Sequence, residues 1–211
     1  MSAVPPCLEV RDLTVERGRL TLVERFDLEA RAGALVQLKG PNGSGKTSIM
    51  RTLAGLVSPA AGRVCWRGVP LSGSGTFLAE LNYIGHLPGL SGELDALENL
   101  AFHAALSRAP RRCQPLAALA RLDARRFARR PVRQLSAGQR QRVALARLAL
   151  YDTVLWLIDE PFTALDIEGR RLLEGLIDEH LDGGGIVLIA THQAFDSRHP
   201  VDVVELGSPV A

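Results

Sequence analysis

Lysine is nearly absent from this chain: Lys39 and Lys46 are the only two, so almost all the positive charge is arginine. That is the kind of bias a GC-rich genome produces, and it leaves a net charge of only +2. So small a charge does not by itself imply a nucleic-acid partner. Cysteine is scarce as well. Cys7, Cys65 and Cys113 are odd in number, far apart and without metal-ligand spacing, which fits free thiols in a reducing compartment rather than disulfides or zinc. No apolar run reaches the roughly 18 residues that span a bilayer. The amino-terminal "MSAVPPCLEVRD" lacks the basic flank and apolar core of a signal peptide. The expectation is a soluble, cytoplasmic chain.

What is present is ordinary globular composition, 46% apolar and 23% charged over 211 residues, enough for one domain with a core and an attached lobe. Residues 7 to 28 alternate apolar and polar, which predicts antiparallel strands with one wet face. "ALVQLKG" reads as a more buried strand running into a glycine-rich turn, and "KTSIMRTLAGL" has helical spacing that stops at Gly55. "GRVCWRG" reads as a further hairpin strand. From about Leu90 to Arg130 the pattern turns helical, in "LDALENLAFHAALS" and "LAALARLDARRFA". "TVLWLI" and "GIVLIA" lack alternation, as expected of parallel strands covered on both faces. Strands alternating with helices make the chain α/β, with the helical stretch inserted as a lobe.

The sharpest motif is "GPNGSGKT": Gly40, Pro41, Asn42, Gly43, Ser44, Gly45, Lys46 and Thr47 fit the phosphate-loop pattern between a predicted strand and helix. Its glycines let the backbone wrap so that successive N–H groups face phosphate oxygens, and the start of the following helix favours the same anion. Lys46 is expected to reach the β- and γ-phosphates of ATP, and the Thr47 hydroxyl to ligate Mg²⁺.

Two buried runs end in chemistry. "TVLWLIDEP" delivers Asp159 and Glu160 at a strand's carboxyl end, where ligands of open α/β sheets collect. Asp159 is the expected second Mg²⁺ ligand and Glu160 the group that polarises the attacking water. "GIVLIATH" delivers His192 in the same way, toward the γ-phosphate. Solvated acids and a structural histidine are the plain alternatives.

"RQLSAGQRQRVALARLAL" reads first as helix capping, with Ser136 and Gln139 forming a capping box. A capped helix start carrying Ser136 and Gly138 is also an anion site. "LSAGQ" upstream of "LIDE" resembles the signature motif of ATP-binding cassette ATPases, with Ala137 in place of that motif's first glycine. "TALD", Thr163 to Asp166, resembles the loop that follows the catalytic glutamate in that family, and His192 matches its switch histidine. The resemblance covers essentially the whole chain. It implies a P-loop NTPase core with a mainly parallel sheet, an N-terminal antiparallel β subdomain and an inserted helical lobe: one domain over 1–211, with the lobe at about 88–140. It also implies a head-to-tail homodimer, in which Ser136, Gly138 and Gln139 act on the partner subunit's nucleotide and Asp166 couples the two sites.

Two positions depart from the family pattern. In "NYIGH", His86 stands where that family places a glutamine near Mg²⁺ and the lytic water. An imidazole can replace it in part, or His86 is a solvated loop histidine. Arg17 stands where many members stack an aromatic on adenine; it either stacks there or is solvated. The glycine-histidine followed by "LPGLSGELDALENL" resembles one branch, the ATP-binding subunits of haem exporters of cytochrome c maturation. That branch implies separate transmembrane permease subunits, a haem chaperone complex and a peripheral place on the cytoplasmic face of the inner (plasma) membrane. Nine arginines between Arg108 and Arg133 face one acid, Asp123, in that stretch, which reads as a solvated face or a meeting with acidic partners or lipid. No aromatics interleave them, and no nucleic-acid partner is expected. An exporter of another cargo, a soluble cassette ATPase acting on nucleic acid or the ribosome, and a phosphate-loop kinase are the other classes; the kinase leaves "LSAGQ" unexplained.

Overall fold

The computed structural model describes residues 7–207. Part of the amino-terminal stretch read above for a signal, residues 1–6, lies outside the described residues. Among the described residues, nine strands form two sheets. Strands β1 (Leu8–Arg17), β2 (Leu20–Ala30), β4 (Ala61–Trp66) and β5 (Val69–Pro70) make an antiparallel sheet in the order β2-β1-β4-β5. Its alternation holds: Leu8, Val10, Leu13 and Val15 are buried while their neighbours are wet. Bulges interrupt the β1–β2 register, and Asp12 (φ 49°) and Arg25 (φ 52°) take left-handed backbone in the two strands.

Strands β3 (Leu35–Lys39), β6 (Leu81–Ile84), β7 (Leu155–Asp159), β8 (Ile186–Ala190) and β9 (Val201–Glu205) form a parallel sheet in the order β6-β7-β8-β3-β9. Every residue of β7 and β8 is buried, which accounts for their unalternated apolar runs. Successive side chains serve opposite faces. Trp156, Ile158, Val187 and Ile189 pack on one side against helices α3 (Ala96–Leu106), α4 (Pro115–Arg121), α5 (Ala137–Leu150) and α6 (Ile167–Asp182). Leu155, Leu157, Ile186 and Leu188 pack on the other side against helix α1 (Lys46–Leu53), the short helix α2 (Phe77–Glu80) and the antiparallel sheet. Because β3, β6, β7 and β8 run parallel, their carboxyl ends share one edge of the sheet.

The helical stretch between β6 and β7 differs from the sequence reading. "LAALARLDARRFA" is not one helix: α4 stops at Arg121, Asp123 takes φ 50°, and Arg125–Phe127 forms a separate 3₁₀ turn. Asp123 faces Arg126 (3.1 Å) and the buried Arg142 (3.6 Å), so tertiary charge pairing fixes the break. The arginines there are also less alone than the local sequence suggests. Folding brings Glu179 to Arg121, Asp95 to Arg129 and Glu93 to Arg133.

One buried pair closes the far end of the sheet. His180 stacks on Trp156 at 3.8 Å and 7°, with Nε2 3.1 Å from the Val154 carbonyl. Burial lowers its pKa to about 4, against hydrogen bonding to backbone carbonyls that favours the proton. A Cβ on Gly185 would come within 2.2 Å of His180 Nε2, so that position accepts only glycine while the stack is in place.

Candidate active site

The loop from Gly40 to Thr47 joins β3 to α1, and the packing around it explains its glycines. A Cβ on Gly40 would meet Ser44 Oγ at 2.6 Å, and one on Gly45, at φ 93°, would meet Val23 at 2.6 Å. The chain therefore wraps closer to its neighbours than other residues permit. Lys46 Nζ donates to the carbonyls of Gly40 (2.7 Å) and Pro41 (3.0 Å), which lays the ammonium across the curve of the loop. Asn42, Gly43, Gly45, Lys46 and Thr47 line a cleft of about 480 Å³, within the usual range for small-molecule sites. Ser44 does not: its side chain is buried, so only its backbone is available to a ligand.

Across the cleft stand the ends of β6 and β7. Thr47 Oγ1 donates to Asp159 Oδ2 at 2.7 Å, while Asp159 Oδ1 is buried with no hydrogen-bond partner. Burial pushes the Asp159 carboxyl up; the Thr47 hydroxyl, His86 and Lys46 pull it down, and Glu160 raises it. A buried carboxylate oxygen without a partner is costly unless a cation meets it. The hydroxyl and carboxylate together form an oxygen donor set of the type Mg²⁺ takes.

Glu160 is strained. Its φ is 48°, worth about 1–3 kcal/mol for a residue with a side chain, a cost that persists where surrounding structure enforces it. The enforcement is visible: Glu160 N donates to Ala190 O (2.8 Å), and Thr191 Oγ1 donates to Glu160 Oε2 (3.1 Å). Its other oxygen, Oε1, lies 3.2 Å from His192 Nδ1. A proton on Nδ1 makes that contact a hydrogen bond and leaves Nε2 as an acceptor. The Glu160 side chain is 12% exposed and that of His192 62% exposed, so the carboxylate is held in and the ring opens outward.

Most of the residues singled out in the sequence meet here. Arg17, His86, Asp159 and Glu160 line the same cleft as the phosphate loop, and His192 joins it through Glu160. Ser136, Gly138 and Gln139 do not line it. They sit at the start of α5, where Ser136 Oγ accepts from Gln139 N (3.2 Å) and Gln139 Oε1 accepts from Ser136 N (3.0 Å). A Cβ on Gly138 would meet the Ala164 carbonyl at 2.6 Å, whereas Ala137 is exposed. The signature thus tolerates alanine at its first glycine position and not at its second.

Several residues of the neighbourhood escape the motifs. Arg51, one turn beyond Thr47 on α1, lines the cleft. Its i+4 spacing from Thr47 was the available signal. Gln37 is a buried amide inside β3, visible in the sequence as the one polar residue in "ALVQL". Arg142 donates to Asp166 Oδ1 at 2.6 Å, tying α5 to the cap of α6; nothing local announces that pairing.

Comparison with known proteins identifies the family. Residues 23–163 match the family model described as ABC transporter. The chain is 45% identical over 200 residues to the cytochrome c biogenesis ATP-binding export protein CcmA of Methylococcus capsulatus, covering 94% of this chain and 96% of that protein. The protein of the same name from Cupriavidus pinatubonensis is 44% identical over 207 residues, covering 97% and 91%. Among solved structures, the dimeric MJ0796, a bacterial ABC transporter cassette, superimposes with a TM-score of 0.82 at 24% identity, covering 95% of this chain and 94% of that one.

Proposed function

This chain belongs to the ABC transporter family, and we propose that it is the ATP-hydrolysing subunit of the haem export system that serves cytochrome c maturation. The single observation that carries the hydrolytic part is the Thr191–Glu160–His192 cluster, held over the same cleft that the phosphate loop lines. The assignment to cytochrome c maturation rests on relatives named as cytochrome c biogenesis ATP-binding export proteins, matched over nearly their whole length.

The phosphates of ATP lie on the amides of residues 43–47 and the start of α1, with Lys46 turned from the carbonyls of Gly40 and Pro41 toward the γ-phosphate. Thr47 and Asp159 would hold Mg²⁺, which neutralises charge on the β- and γ-phosphates when bound. Glu160 Oε1 orients and polarises the attacking water. His192 keeps that carboxylate in place through Nδ1–H and reaches the γ-phosphate through a water that donates to Nε2 and to a phosphate oxygen. His86 lines the cleft with Asp159 and Glu160 and is a hydrogen-bond partner for the same water. Arg17, on the cleft wall, stacks its guanidinium on the adenine.

Ser136, Gly138 and Gln139 lie away from this cleft because they serve the nucleotide of a second subunit in a head-to-tail homodimer. Separate membrane subunits meet the chain at a groove of about 310 Å³ that adjoins the His86 loop, lined by Leu56, Leu78, Leu106, Tyr83 and Arg147. Arg147 donates to the Tyr83 carbonyl (3.2 Å), so the groove floor is bonded to the strand that delivers His86. No helix among the described residues is long and apolar enough to cross a membrane. The chain works as a peripheral subunit at the cytoplasmic face of the membrane, with a haem chaperone complex among its partners.

The test is genetic and chemical together. Removing the gene should abolish holo-cytochrome c, wild-type protein should restore it, and Lys46→Ala should not. Normal haem attachment without the protein would refute the assignment.

A further inference from the structure

Glu160 and His192 sit on different loops, after β7 and β8, and their 3.2 Å contact depends on how those loops are held together. From inside, Gln37 of β3 donates from Nε2 to the carbonyls of Thr191 (3.2 Å) and Gln193 (3.3 Å), bracketing His192 on both sides. From outside, Arg170 in the first turn of α6 donates from Nη1 to Gln193 Oε1 (2.7 Å) and from Nη2 to the Ala194 carbonyl. The same guanidinium lies over the ring of Phe162, 5.0 Å from its centroid. Phe162 in turn stacks on Phe195 at 5.3 Å and 19°.

Phe162 lies two residues after Glu160, and Phe195 three residues after His192. Arg170 thus touches the segment that follows the carboxylate and the segment that follows the histidine, and none of its contacts is with the cleft itself. Lysine could not replace it fully, since its ammonium lacks the planar fork that reaches two separate acceptors while its flat face covers a ring.

We propose that Arg170 is a positioning residue for ATP hydrolysis, clamping the His192 loop to the Glu160 loop so that Nδ1 meets the carboxylate. The proposal rests on the reading of Glu160 and His192 given above. Its α6 turn begins at Asp166, whose carboxylate caps Gly169 N (2.9 Å) and accepts from Arg142 of the signature helix, so the clamp is mounted on a braced helix start.

The experiment is a double-mutant cycle on the full chain, measuring kcat and KM for ATP in wild type, Arg170→Ala, His192→Ala and the double variant, with Arg170→Lys alongside. Displacing a catalytic group by about 1 Å can cost on the order of 100-fold. Arg170→Ala should therefore lower kcat by about 10- to 100-fold with KM within about twofold, and Arg170→Lys should recover part of the loss. In the His192→Ala background, Arg170→Ala should change kcat by less than about twofold, because its effect passes through the histidine. An unchanged kcat in Arg170→Ala, a KM that rises in step, or the same loss repeated in the His192→Ala background would each overturn the proposal. If Arg170→Ala does not fold, Gln193→Ala removes only the side-chain acceptor from a partly exposed loop. It should show the same kcat-selective loss, several-fold in size, and its absence would count against the clamp. Wild-type turnover in His192→Ala would instead strike the reading of His192 itself.

Discussion

Replacing Glu160 by glutamine isolates the role assigned to one oxygen. The amide side chain keeps the shape of the carboxylate and can keep the backbone: φ 48° is held by the hydrogen bond that Glu160 N–H donates to the Ala190 carbonyl (2.8 Å), which the substitution leaves alone. The carboxylate accepts two hydrogen bonds, from Thr191 Oγ1 at 3.1 Å and His192 Nδ1 at 3.2 Å. An amide can present oxygen to one of them only, so about 1 kcal/mol of stability is at stake, while the cleft stays intact. The chemical step loses far more. A positioned general base contributes about 10²–10⁴-fold, or roughly 3–5 kcal/mol of barrier. Removing a negative charge beside the γ-phosphate does not weaken nucleotide binding. Glu160→Gln should therefore bind ATP at least as tightly as wild type, accumulate as an ATP-bound dimer in size-exclusion chromatography with light scattering, and turn over about 100-fold or more slowly in a single-turnover assay. Turnover within about threefold of wild type, with ATP binding unchanged, would refute the assignment of Glu160.

Other expectations follow from single contacts. Lys46→Ala should raise the Kd for ATP by about two orders of magnitude or more in an equilibrium binding assay, since it removes the ammonium, now on the Gly40 carbonyl, that is proposed to turn to the phosphates. His180 is neutral in the fold with a pKa of about 4 against an ordinary 6.5, so its contribution to stability is full above pH 6.5 and is lost as the pH falls toward 4. About 2 kcal/mol should be gone by pH 5, and urea unfolding of His180→Phe, which can still stack on Trp156, should show a flatter dependence across that window. Gly138→Ala puts a methyl 2.6 Å from the Ala164 carbonyl and should lower ATP turnover about tenfold or more while Ala137→Gly leaves it near wild type; equal effects would contradict the packing argument.

The parts of this molecule that were legible in its sequence are those whose cause is local. The phosphate loop was readable because Gly40 and Gly45 have close neighbours that admit no Cβ, and Asp159, Glu160 and His192 because each closes an apolar run long enough to be a buried strand. Strand β9 was not read: "VDVVE" is short and half-exposed at an edge, and its pairing with β3 is set by the sheet. The break at Asp123 was hidden because its left-handed backbone answers to Arg142, which lies far along the chain on another helix. Gln37 carried a signal that the apolar pattern masks, whereas Arg170 carried none. Its partners Phe162, Gln193 and Ala194 come from two other loops, and only the tertiary structure gathers them.

This ATPase is proposed to drive a membrane complex of cytochrome c maturation. The measurement that bears on it most directly is the identity of what co-purifies with tagged Glu160→Gln from native membranes in the presence of ATP. Multi-spanning membrane subunits together with a haem chaperone are the predicted result. Membrane subunits of an unrelated export system, or ribosomes and nucleic acid with no membrane protein, would contradict it.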